Sequence, residues 1–115
     1  MALQGYVHEE LLTAAIDDET TSPWVDVRGR TAPKFYLSGL GTTSSGVITL
    51  EETMPRADNS WPATPVAITT VNALDVSAGV QKIYQATAGP YAFVRARVST
   101  VIGGGGSVTV GVLAV

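Results

Sequence analysis

The sequence predicts an all-β fold, an antiparallel β-sandwich of about 7-8 strands in one domain, and three observations carry that expectation. β-Branched residues and turn formers dominate, with short apolar runs set between clusters of Gly, Pro, Ser, Asn and Asp at strand-like intervals. Two segments, Tyr91 to Ser99 and Ser107 to Val112, alternate apolar and polar side chains with a period of two. A chain of 115 residues has material for one core, since folds of this size bury roughly two thirds of the surface their unfolded form exposes.

Taken in order, residues 1-21 form an N-terminal arm or edge segment and residues 22-115 the sandwich. Within the first segment, Leu11, Leu12, Ala15 and Ile16 repeat at helical spacing, yet a Thr- and Asp-rich turn follows. An edge strand or extended arm is preferred there to a short helix. The expected strands are Trp24 to Arg28, Lys34 to Ser38, Val47 to Glu52, Pro65 to Asn72, Val80 to Ala86, Tyr91 to Thr100 and Ser107 to Leu113. The six prolines fall at or near the ends of these segments, where a missing N–H does least harm. In Tyr91 to Ser99 the core face is Val94, Ala96 and Val98, and the polar face is Arg95, Arg97 and Ser99. Val108, Val110 and Val112 repeat the pattern after Gly103 to Gly106, so the last two strands are expected to form an antiparallel hairpin over a mobile glycine turn. Gly39 to Gly46 reads as a flexible polar loop.

Charged residues are 15% of the chain against roughly 25% in ordinary soluble domains, and mean hydropathy is +0.23. So little charge leaves two readings of the surface: a Ser/Thr-coated exterior, or a neutral surface partly covered by partners. A net charge of −3 with scattered basic residues argues against binding nucleic acid by phosphate neutralisation. With no cysteine, a disulfide framework, a thiolate zinc site and a cysteine nucleophile are all ruled out. Met1 to Tyr6 lacks the pattern of a signal peptide, and no apolar run has the length of a membrane span, so no membrane association is expected.

Catalytic chemistry finds little material. His8 is the single histidine, near the terminus and without a nucleophile signature, so it reads as a surface residue. Asp17-Asp18-Glu19 could meet a hard cation, but without EF-hand spacing it reads as a solvated turn. Glu51 and Glu52 are neighbours on a strand and face opposite sides, which gives no support to a carboxylate pair. Arg28-Gly29-Arg30 and Arg95-x-Arg97 suit ion pairs across a sheet or to a neighbouring subunit. Trp24, Trp61, Tyr84, Tyr91 and Phe93 could line a sugar-binding face or fill the core and its ends. No catalytic residue, cofactor site or metal site is expected.

Three stretches carry a resemblance: Ser22-Pro23-Trp24-Val25-Asp26-Val27-Arg28-Gly29, Thr43-Ser44-Ser45-Gly46-Val47-Ile48-Thr49-Leu50-Glu51-Glu52, and Gly89-Pro90-Tyr91-Ala92-Phe93-Val94-Arg95-Ala96-Arg97-Val98-Ser99 with the glycine-rich segment after it. Together they resemble the small jelly-roll head cement or decoration proteins of tailed bacteriophages, over most of Ser22 to Val115. The resemblance implies a jelly-roll, non-enzymatic homo-oligomer, a dimer or trimer, on the exterior of a virion. Its partner would be the major capsid protein, and it would be made in the host bacterial cytoplasm. Leu11, Leu12 and Ile16 of the arm, with Gly41, Thr42, Thr43 and Ser44 of the polar loop, are the expected contact residues. Removing the residues before Ser22 is expected to leave the sandwich folded and abolish particle binding. The alternative is a tail or baseplate sandwich that binds host carbohydrate.

Overall fold

The computed structural model describes residues 6–17, 20–30, 32–86 and 91–115, and everything below concerns these. Eight strands form two antiparallel sheets packed face to face. The strands are β1 (Val7–Ala15), β2 (Val25–Asp26), β3 (Lys34–Leu40), β4 (Ser45–Thr53), β5 (Val66–Asn72), β6 (Gln81–Gln85), β7 (Phe93–Gly103) and β8 (Ser107–Ala114). One sheet runs β1-β8-β3-β6 and the other β2-β7-β4-β5. The first strand thus pairs with the last, the second with the seventh, the third with the sixth and the fourth with the fifth. Consecutive strands mostly alternate between sheets, and the chain is all-β apart from a 3-10 helix at Ala73–Gly79.

The period-two pattern becomes the core. Val94, Ala96 and Val98 of β7 face Val108, Val110 and Val112 of β8 across the sandwich, joined by Phe35, Leu37, Ile48 and Leu50, all nearly or fully buried. The 3-10 helix inserts Ala73 and Val76 to close one end. Burying an aliphatic side chain contributes about 1.5–3 kcal/mol, so this cluster is the principal favourable term in folding.

The expected β7–β8 hairpin does not form, because the two strands lie in different sheets. A short glycine connection can fold a strand beside its predecessor or carry it across to the facing layer. With an apolar face on each strand, the crossing buries both against each other. The connection packs on the loop before β4, where Ser44 N–H donates to the Gly103 carbonyl at 2.9 Å. At Gly104 (φ +99°) a Cβ would stand 2.8 Å from the Ser44 nitrogen, so the close approach requires glycine.

Residues 7–15 are an edge strand built into the first sheet, with six residue pairs to β8. The expectation that Leu11 and Leu12 reach out to a neighbour is therefore corrected, since both are buried in the core with Ala15. Two irregularities of register, after Glu10 and after Leu12, let adjacent leucines both turn inward, and Ala14 takes a left-handed conformation (φ +50°). That is why a strand presents apolar residues at helix-like intervals.

The polar loop is also shorter than expected, because β3 runs to Leu40 and β4 begins at Ser45. Thr43 is fully buried, its hydroxyl donating to the Ala73 carbonyl at 2.6 Å and its N–H to Ser77 Oγ at 3.0 Å. Thr43 is thus a fastener between the loop and the 3-10 helix, which corrects its expected role as a contact residue.

Candidate functional site

Two surfaces stand out. The first is the end of the sandwich where β1, β3 and β7 finish and β4, β6 and β8 begin. Ile16 accepts a hydrogen bond from Ile102 N–H at 2.8 Å, and Ala78 N–H donates to the Gly41 carbonyl at 2.9 Å. With the Ser44–Gly103 bond, these place Ile16, Gly41, Thr42 and Ser44 on one end, all exposed. Leu40, Val80 and Val101 join them there as exposed apolar side chains, Leu40 at 72% and Ile16 at 49% of full exposure. Four of the seven expected contact residues are thus brought together at a surface, while Leu11, Leu12 and Thr43 are interior.

The second surface is the outer face of the β2-β7-β4-β5 sheet. Trp24 and Trp61 stack with ring centres 6.1 Å apart and planes 8° from parallel, and Phe93 meets Trp61 edge-on at 5.0 Å. The Arg95 guanidinium lies 4.3 Å from the Trp24 ring centre and that of Arg28 lies 4.7 Å from Phe93. Outward phase explains most of this: Trp24 and Asp26 share one side of the β2 edge, and Phe93 and Arg95 that of β7. Trp61 arrives from the connection between β4 and β5, a distant part of the chain. A lone tryptophan within a run of turn formers was the one sequence signal that this loop folds back, because so large an apolar group gains by finding a surface. Of the other aromatics considered, Tyr91 is buried in the core and Tyr84 lies on β6 of the opposite sheet.

Each arginine of this face has a carboxylate partner, and two of them share one. The Glu51 carboxylate is buried and accepts from Arg95 Nε at 2.8 Å and Arg97 Nε at 3.1 Å. Asp26 accepts from Arg28 Nε at 3.0 Å and Nη2 at 2.8 Å, and these bonds, followed by one from the Arg28 backbone N–H, hold its carboxyl below the usual range. Glu52 points the other way from Glu51, pairing with Val94 on the inward side, and burial pushes its carboxyl up.

On the β1-β8-β3-β6 sheet, His8 Nε2 lies 2.7 Å from the Tyr36 hydroxyl, so His8 on β1 has a structural partner on β3, across the intervening β8. Tyr36 reaches it by lying across Gly111, where any side chain would overlap its ring. Burial, and secondarily the charge of Glu10, raises the Tyr36 phenol above its usual value. Asp18 and Glu19 of the acidic cluster lie outside the described residues. Among the described residues, no group of three His, Asp or Glu is placed to hold a metal ion, and no helix is long and apolar enough to cross a membrane.

No family model matches the chain, and no curated protein matches it.

Proposed function

We propose that this chain is a structural subunit of a tailed-phage particle, a cement or decoration protein that binds the major capsid lattice as a homo-oligomer and performs no chemistry. The observation that carries this reading is the apolar end of the sandwich. Ile16, Leu40, Val80 and Val101 are exposed there on backbone held by hydrogen bonds from four different segments. Exposed apolar groups gain by being covered, and a surface that is already ordered loses little entropy when a partner covers it. The pairing of strand one with eight, two with seven, three with six and four with five is the order of a rolled ribbon, and it supports the jelly-roll reading.

The physical work would be linkage. A subunit that binds assembled lattice and not free coat protein stabilises the lattice by its binding free energy at every site, so modest contacts suffice. The test is stoichiometry on native particles, with added chain competing for undecorated heads. Hundreds of copies per particle, and loss of binding in Leu40→Asp and Ile16→Asp variants that still fold, are the expected results. A few dozen copies or fewer would move the chain to the tail, and absence from particles would end the phage reading.

A further inference from the structure

At the opposite end of the sandwich, the connection between β4 and β5 curls beside the start of β7. With the turn after β2 it lines an open cavity of about 410 Å³, within the range of small-ligand pockets. We propose that this cavity binds an acidic saccharide, a pyranose bearing a carboxylate, with Arg56 reading the charge.

The charge argument rests on partners. Arg56 Nη1 donates only to neutral oxygens, Ser60 Oγ at 3.3 Å and the Trp61 carbonyl at 3.2 Å. Among the described residues no carboxylate stands within ion-pair distance of it. Asp58, the acid of the same loop, is bonded instead to the Ser60 N–H at 3.0 Å and hydroxyl at 2.7 Å. A guanidinium has five N–H donors in a planar fork, so Arg56 retains donors for a carboxylate. Arg28 also lines the cavity, but Asp26 already occupies its fork. It acts as a fixed wall over Phe93, and of the two arginines lining the cavity Arg56 is the one without a carboxylate partner among the described residues.

The remaining walls fit a sugar body. Met54, exposed over the buried Tyr91 and Ala92, supplies an apolar side for the CH face of a pyranose ring, and the Asn59 amide supplies both a donor and an acceptor for hydroxyls. The loop is set in advance by bonds from Arg56 N–H to the Ser60 carbonyl and from Asn59 N–H to the Arg56 carbonyl, both 2.8 Å. Inorganic phosphate would use Arg56 and leave the apolar wall bare. A neutral sugar would use the wall and leave Arg56 unmatched. A carboxylated pyranose uses both.

The inference does not depend on where a particle carries the chain, so its failure and that of capsid binding are separately readable. The test is calorimetric titration of the purified full chain with a panel of uronic-acid and sialic-acid oligosaccharides, their methyl esters, the neutral counterparts and inorganic phosphate. Saturable binding of at least one acidic member is expected, weakened about tenfold or more by esterification or by Arg56→Gln, and falling as salt is raised. Circular dichroism checks the fold of the variant. The ester comparison needs no variant, so it decides the matter even if Arg56→Gln disturbs the loop. Absence of saturable binding across the acidic panel, equal binding of acid and ester, or binding of phosphate alone would overturn the proposal.

Discussion

Replacing Glu51 with alanine tests how the outer face of the second sheet is held together. The Glu51 side chain is 6% exposed and is shared by Arg95 and Arg97, which are 21% and 36% exposed. Its removal leaves two guanidinium groups, two residues apart on one strand face, with like charge and, among the described residues, no other carboxylate within ion-pair distance. Breaking a fully buried pair in this way costs about 3–5 kcal/mol. Both arginines have partial access to water, and Arg97 can turn toward it, which reduces the expected loss to about 2–3 kcal/mol. Unfolding entropy near 2.1 cal/mol/K per residue amounts to roughly 240 cal/mol/K for a chain this long, so Tm should fall by about 10 °C. Thermal circular dichroism reads the shift, and a cycle with Arg97→Ala isolates the pair, because losing the repelling partner should recover part of the loss. A Glu51→Ala protein that melts within about 3 °C of the parent would refute the reasoning, since the cluster would then contribute no more than an exposed ion pair.

Three further outcomes follow from the packing. Deleting residues 1–21 should leave the chain unfolded at room temperature, because the loss of Leu11 and Leu12 alone costs about 2–5 kcal/mol each against a typical total of about 5–15. A cooperative native-like melt of the truncated chain would contradict this. Gly111→Ala should destabilise by about 1–3 kcal/mol by displacing the Tyr36 ring and its contact with His8, and the added cost should largely vanish in a Tyr36→Ala background. Glu52→Gln tests the raised carboxyl. The folded form holds its proton to higher pH than the unfolded form, whose ordinary value is 4.5, so the parent loses stability as pH rises through the folded value. The variant should therefore melt above the parent near pH 7, with the gap closing below the ordinary value; a gap that is constant with pH would show that Glu52 is not desolvated.

The extent of legible structure can be judged from particular residues. Val94, Ala96 and Val98 declared their face because strand geometry alone sends alternate side chains to opposite sides. Nothing local could show that Val108, Val110 and Val112 lie opposite them and not beside them, since a glycine connection permits either course. Leu11 and Leu12 misled for a related reason: the register irregularities that turn both inward depend on pairing with β8, nearly a hundred residues away. The contact end was half visible. Ile16, Gly41, Thr42 and Ser44 were marked as exposed, but their meeting depends on hydrogen bonds among four segments.

Composition, period-two alternation and turn residues by themselves determined an all-β chain, nearly all its strand positions, the core face of β7 and the opposed directions of Glu51 and Glu52. Tertiary structure alone decided the partners of those strands, the stacking of Trp24 with Trp61, the sharing of Glu51 by Arg95 and Arg97, and the cavity beside Arg56. The division has a physical cause. Backbone sterics and side-chain phase act over a few residues and leave their mark in sequence order, whereas sheet assignment and site assembly follow from burying every apolar face at once.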